Sequence, residues 1–285
     1  MIKIIKYFFE AFIVYLIFLI IKLCGLSISR IIFSSIFKKI GRTIKSKNTI
    51  RKNLNIFSNN ISEIEKKEIE LNMWSNYGKT FAEYMFLKKF RVENLHIKIE
   101  GKKILDKIYH NNKPVIFVSG HFANFELMSM EITKSKINLA TIYRPLNNIF
   151  LNPLMEYLRK KYVCNNQIKK GRSGIKECIN YIEKDFSIAL MIDQRLGEGD
   201  RIKFFNKTAH TTSLPAQLSL KYNLNIVPIF IERDQKDFFK MKVYEPIDTS
   251  NFKNKSEITL KLNQILEDMI VKNPNQWIWT HDRWK

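Results

Sequence analysis

The stretch Val118–Leu127 reads VSGHFANFEL and holds the two side chains best suited to chemistry, His121 and Glu126. A histidine can change charge near neutral pH, which suits it to move protons. A carboxylate bonded to one ring nitrogen fixes the tautomer and stabilises the imidazolium, leaving the other nitrogen to accept a proton. That arrangement deprotonates a hydroxyl as it attacks a thioester. A helix beginning near Phe122 would carry Glu126 about one turn onward, with its carboxylate facing back toward the ring. The spacing is common, and an incidental histidine at a helix start produces it too. Chemistry is favoured because Gly120 permits a tight strand-to-helix turn and the other histidines offer no better pair. His96 and His110 lie in a polar, lysine-rich region expected at the surface. His210 falls in a Thr-rich segment read as a loop, and His281, near the C-terminus, is read as structural.

Further candidates sit at the ends of predicted strands. Arg144 follows the apolar run Asn138–Tyr143, and Asp193-Gln194 closes the run that starts at Ser187. A fixed guanidinium stabilises an oxyanion or holds a phosphate. A strand-end carboxylate orients a hydroxyl or pairs with an arginine. Arg159 lies on a predicted helix, where a plain surface arginine is the alternative. Phe204 and Phe205 are read as an acyl-pocket wall or simply as core. Trp277, Trp279 and Trp284 suit an interfacial tail or a tail packed on the domain.

The elements that must position these groups are legible as apolar periodicity. Ile61–Phe90 reads as a helix, opened by a capping box of Ser62 and Glu65. Short apolar runs follow at 114–119, 138–143, 187–192, 226–231 and 239–244, read as strands. Helical patterns alternate with them at 152–162, 173–184, 213–222 and 256–271. Strands alternating with helices predict an α/β layered domain. No linker rich in Gly, Pro or Ser divides it, so 29–285 is expected to form one domain behind an anchor at 1–28.

That anchor rests on AFIVYLIFLII at 11–21, extended upstream by Tyr7-Phe8-Phe9. A helix from Tyr7 to Ile21 would be about 22 Å long, and continuing to Leu26 would nearly span the ~30 Å hydrocarbon core if Lys22 snorkels. No convincing cleavage site follows, so a retained anchor is expected. Lysines and arginines crowd its C-terminal flank from Lys22 to Lys52, which places the bulk of the chain on the cytoplasmic side and in reach of anionic lipid.

The chain carries 48 Lys+Arg against 27 Asp+Glu, a formal charge of +21. Such a charge attracts something anionic, but Lys, Ile and Asn are all abundant, a bias that AT-rich coding would also produce. Location therefore decides, and it favours a membrane over nucleic acid, for which no recognition motif is present. Three widely separated cysteines suggest neither a disulfide framework nor a zinc site, and no metal or cofactor is expected.

The sequence resembles the late acyltransferases of lipid A biosynthesis, the lauroyl and myristoyl transferases, over nearly its whole length. The similarity is carried in order by SGHFANFE at 119–126, YRPLNN at 143–148, LMEYLRKKY at 154–162 and GRSGIKECI at 171–179. MIDQRLGEG at 191–199, FFNKTAHTT at 204–212, VPIFIER at 227–233 and NQWIWTHDRWK at the C-terminus complete it. Asn206 stands where the family usually has glycine. The resemblance implies a glycerolipid-acyltransferase-like domain with a mixed sheet, facing the cytoplasm at the bacterial inner membrane; a monomer is expected. It implies transfer of an acyl chain from acyl carrier protein, with acyl-CoA as the other possible donor, onto a hydroxyl of a lipid A precursor. His121 would be the general base and Glu126 its orienting partner, with Arg144, Arg159, Asp193 and Gln194 serving substrate or oxyanion. No covalent acyl-enzyme is needed. A glycerophospholipid or other amphiphile acceptor remains the alternative, because dyad chemistry does not name the acceptor. A basic membrane or nucleic-acid-binding protein without catalysis would leave the strand-end cluster unexplained.

Overall fold

A computed structural model describes residues 2–44, 47–58 and 60–285. Five helices come first: α1 (Ile2–Cys24), α2 (Leu26–Ile44), α3 (Lys47–Phe57), α4 (Glu63–Glu83) and α5 (Leu87–Val92). α4 opens on the expected capping box, in which Ser62 Oγ accepts from Glu65 N and Glu65 accepts from Ser62 N. The α/β portion follows as β1 (Ile97–Glu100), α6 (Lys102–Asn111), β2 (Ile116–Ser119), α7 (Glu126–Lys134), β3 (Leu139–Tyr143), α8 (Asn152–Leu158) and β4 (Asn166–Lys169). It continues through α9 (Arg172–Ile182), β5 (Ser187–Met191), the hairpin β6 (Asp200–Phe204) and β7 (Lys207–Thr211), α10 (Leu214–Tyr222), β8 (Ile226–Arg233), β9 (Phe239–Val243) and α11 (Lys255–Lys272).

Seven strands form one mixed sheet in the order β1-β9-β8-β2-β5-β3-β4. Neighbours run parallel except β8 and β9, which are antiparallel. The expected α/β class and mixed sheet are what the chain adopts. The edge strands β1 and β4 and the β6–β7 hairpin escape the sequence pattern, because short, half-exposed strands carry little apolar signal. His210 accordingly sits in β7, not in a loop.

Alternate residues of the central strands feed two cores. Ile116, Val118, Ile188, Leu190 and Ile226 join one with α4, α9, α10, α11 and the C-terminal tryptophans. Phe117, Ala189, Val227, Ile229 and Ile231 join the other with α5, α6, α7 and α8. Burial on both faces explains why these strands read as continuous apolar runs. Trp277, Trp279 and Trp284 are buried, so the C-terminal tail packs on the domain and does not project toward a membrane.

One buried carboxylate ties the helical N-terminal part to the sheet. Glu83, at the end of α4, accepts from Arg30 Nε of α2 at 2.6 Å, from Arg233 of β8 through both terminal nitrogens, and from Asn124 Nδ2 at 2.9 Å. Burial alone would raise its pKa, but the two arginines and Asn124 outweigh that and hold it below the ordinary carboxylate value. A depressed folded-state pKa gives stability that is present above the unfolded value and lost as pH falls through the folded one. We expect Glu83→Ala to lower unfolding free energy in urea by about 3–5 kcal/mol, since it strands two buried guanidinium groups. The wild type should also lose stability on acidification below the ordinary carboxylate range, with a shallower dependence in the variant.

Candidate active site

β2 and β5 are parallel neighbours in the register Ser119↔Met191. Two residues beyond each of these positions stand His121 and Asp193, so the two chain ends deliver them side by side. Asp193 Oδ1 lies 2.7 Å from His121 Nδ1, and its Oδ2 accepts from the His121 backbone N–H at 2.7 Å. Trp277 Nε1 donates to the same Oδ2 at 3.0 Å. Asp193 is almost fully buried, which by itself would raise its pKa. The His121 ring and these N–H donors outweigh burial and hold the carboxyl below its ordinary value. With Nδ1 committed to Asp193, Nε2 is the nitrogen left for a substrate.

The partner of the imidazole is thus Asp193, where the sequence reading assigned Glu126. The helix expected to begin near Phe122 begins at Glu126. Residues 121–125 instead form an irregular turn in which Ala123 is left-handed, at φ 44°. Its carbonyl is clamped by Asn76 Nδ2 at 3.2 Å and Thr80 Oγ1 at 3.0 Å, and its N–H donates to Gln276 O at 3.3 Å. This turn removes the helical geometry that would have faced the two side chains toward each other. Glu126 Oε1 accepts from Tyr84 OH at 2.7 Å and from Arg159 Nε at 2.8 Å, with Arg159 NH2 2.6 Å away.

Gly120 does not have a positive φ, so conformational freedom is not what the turn needs from it. A Cβ there would come within 2.8 Å of the Phe122 ring, 2.9 Å of Leu266 and 3.3 Å of Asp193 Oδ2. Close approach of the Phe122 and Leu266 side chains, with Asp193 next, is what favours glycine here.

His121, Glu126, Arg144, Arg159 and Gln194 all line one cavity of about 1130 Å³. That exceeds the roughly 300–1,000 Å³ of ordinary small-molecule pockets, and it suits a large amphiphile. Part of the wall is apolar, from Phe125, Met128, Ile142, Leu190 and Met191. Another part is cationic, with Arg144 joined by Lys169, Lys170 and Arg172. Among the described residues Arg144, Lys170 and Arg172 make no ion pair, whereas Lys169 lies 3.8 Å from Glu156. Burial, then the nearby Arg144 charge, lowers the Lys170 pKa. Arg159 is held differently. Burial works against its charge, but Glu126 and Tyr84 outweigh that and keep the guanidinium protonated.

Several site residues escaped the sequence reading. Tyr84 reaches it from the turn just past the end of α4, and Trp277 from the tail. His281 also lines the cavity, where its Nε2 accepts from Arg195 N at 2.9 Å and burial depresses its pKa. Their types carried no spacing signal, since the tail returns to the site only in three dimensions. His96, expected at the surface, has a side chain only 9% exposed, set 3.4 Å from Glu131. Phe204 and Phe205 belong to the core beneath Trp284. Cys164 and Cys178 are buried, and burial raises both thiols, Cys178 to about 11. Neither is poised as a nucleophile.

Comparison with known proteins bears on what this geometry serves. The chain is 23% identical over 256 residues to the lipid A biosynthesis acyltransferase 2 of Shigella flexneri, covering 86% of this chain and 81% of that protein. It is 21% identical over 225 residues to the lipid A biosynthesis myristoyltransferase of Escherichia coli K12, covering 76% and 68%. With the lipid A biosynthesis palmitoleoyltransferase of the same organism it shares 23% over 192 residues, covering 66% and 61%. The family model described as bacterial lipid A biosynthesis acyltransferase matches residues 2–285. The chain therefore belongs to the bacterial lipid A biosynthesis acyltransferase family and is an acyltransferase.

Proposed function

We propose that this enzyme transfers a fatty acyl chain from the thioester of acyl carrier protein to a hydroxyl of a lipid A precursor, with His121 as general base. The observation that carries this reading is the bond from His121 Nδ1 to Asp193 beside a large, partly apolar cavity. The acceptor hydroxyl attacks the thioester carbonyl as Nε2 takes its proton. The tetrahedral oxyanion collapses, the ester forms, and the departing thiolate takes the proton back from the imidazolium. Asp193 holds the ring orientation and stabilises the imidazolium, the part played by the aspartate of a Ser-His-Asp triad. Glu126 acts one step away by fixing Arg159 in the cavity wall, where a charged guanidinium stabilises the oxyanion or holds the donor.

Arg144, Lys170 and Arg172, without an ion pair among the described residues, suit phosphate groups on the acceptor. An acidic carrier protein complements the basic chain, and acyl-CoA is the alternative donor. The apolar α1 and the basic residues that follow it support residence at the bacterial inner membrane, with the domain on the cytoplasmic side.

The test supplies purified enzyme with acyl carrier proteins of several chain lengths and a tetraacylated lipid A precursor, reading penta-acylated product by mass spectrometry. His121→Ala should lower kcat by about 10²–10⁴-fold. Asp193→Asn should lower kcat by a similar factor while leaving the KM of either substrate within about threefold, as expected of a group acting through the base. Glu126→Gln and Arg159→Ala should depress turnover together. The double variant should be little worse than either single one, because the two side chains act as one unit. An active Asp193→Asn beside a dead Glu126→Gln would overturn this division of roles. Preference for a lysophospholipid or glycerol phosphate offered in parallel would overturn the acceptor.

A further inference from the structure

α1 has 23 residues, so it is about 34 Å long and could cross a hydrocarbon core of ~30 Å. Its packing points elsewhere. Near its start, Tyr7 O accepts from Asn148 Nδ2 at 2.9 Å, and the Phe8 ring meets Phe150 edge-on at 5.7 Å. In the middle, Tyr15 OH donates to Phe150 O at 2.9 Å. Near its end, Phe18 lies 5.1 Å from Phe81 of α4, and Ile21 O accepts from Ser29 Oγ of α2 at 2.9 Å. Ala11, Phe18 and Ile21 are buried, with Tyr7, Val14 and Ile17 half-buried between them. These positions recur every three or four residues, so one stripe of α1 is seated on the domain along its length.

The rest of its circumference is apolar and exposed, including Phe9, Phe12, Leu16, Leu19 and Leu23. α2 extends this surface through Ile28, Ile31, Ile32, Ile36 and Ile40, and the loop that seats α1 adds Leu146 and Ile149. So many exposed apolar side chains in one region exceed what a monomeric surface ordinarily shows. Lys3, Lys6, Lys22, Lys38 and Lys39 are exposed on the same two helices, and Glu10 is the single acid between residues 2 and 44. An apolar face among lysines is complementary to an anionic lipid surface, not to a second basic copy of this chain.

If α1 crossed the bilayer with its seat attached, the non-helical backbone of the seating loop and its asparagines Asn147 and Asn148 would enter hydrocarbon, where irregular backbone and polar side chains are costly. If it crossed alone, the bonds to Asn148, Phe150 and Ser29 would break. We propose that α1 and α2 instead lie along the membrane as a plate sunk into one leaflet, so that the chain is monotopic. Phe37 of α2 and Leu146 line the active-site cavity as well as bordering this plate. The cavity thus opens at the membrane surface, and a lipid acceptor enters it sideways without leaving the leaflet. This placement rests on the membrane residence proposed above.

Sidedness tests it. In a Cys24→Ser background, Lys3→Cys on α1 and Lys236→Cys on the exposed β8–β9 turn are each labelled with a membrane-impermeant maleimide. Sealed right-side-out and inverted vesicles are compared, and acyl transfer is assayed on the same vesicles. Both cysteines should react in the same vesicle orientation, at rates within about threefold of the rates in detergent-opened vesicles. Reaction of Lys3→Cys only in the opposite orientation from Lys236→Cys means that α1 crosses, and overturns the proposal. Recovery of the protein in the soluble fraction overturns it too. Transfer activity is scored separately, so a wrong reaction and a wrong topology remain distinguishable. As a second measurement, Leu16→Asp with Leu19→Asp should weaken binding to phosphatidylglycerol vesicles about tenfold or more while leaving transfer to a detergent-dispersed acceptor unchanged. Unaltered vesicle binding would count against the plate.

Discussion

The site depends on one buried carboxylate. Asp193 receives the His121 ring, the His121 backbone N–H and the Trp277 indole, and so joins the ends of two parallel strands to the C-terminal tail. A buried charge is tolerated only when it is hydrogen-bonded and paired. These donors satisfy both conditions and set the position of the imidazole at the same time. Gly120 is part of the same constraint, because any side chain there would press on Phe122, Leu266 and Asp193 together. The tail is accordingly part of the site's construction, with Trp277 and Trp279 buried and His281 set in the cavity wall.

Two further carboxylates divide the remaining work, and each is matched to arginine. Glu83 joins α2, α4 and β8, and through Asn124 it steadies the turn that follows His121. Glu126 pairs with Arg159 at the point where α8 passes into a wider, π-type turn over Arg159–Val163. Such irregular turns occur often at functional sites. These three acids, each satisfied by a different cationic or N–H partner, leave Arg144, Lys170 and Arg172 on the cavity wall without an ion pair among the described residues. That asymmetry is what a phosphorylated, acyl-bearing substrate would meet.

The segment between β2 and α7 holds one of the left-handed non-glycine residues of the chain. Ala123 adopts a left-handed conformation costly for a residue with a Cβ, and Asn76, Thr80 and Gln276 hold it there from α4 and the tail. The same turn delays the helix to Glu126, and so aims that side chain at Arg159 and not at His121. Local strain and the choice of partners are one fact.

Much of the architecture was legible in the residues themselves. Apolar runs marked β2, β3, β5, β8 and β9, the Ser62–Glu65 box marked the start of α4, and the ordered blocks from Ser119 to the C-terminus pointed to the family. These signals are local, and hydrophobic period and capping chemistry act over a few residues. His121 was identifiable for the same reason, as a histidine just past a strand. Its partner was not. Asp193 is 72 residues away and meets His121 only because β5 lies beside β2 in one register. Glu126 was nearer in sequence, but the left-handed turn at Ala123 turned it away. Tyr84, Trp277 and His281 were invisible likewise, arriving from elements whose own periodicity reports packing and nothing of the cavity. The residues by themselves determined the strands, the helices and the histidine. Strand pairing and the path of the tail decided which acid touches it, because proximity in a folded chain is set by register and packing, not by spacing along the chain.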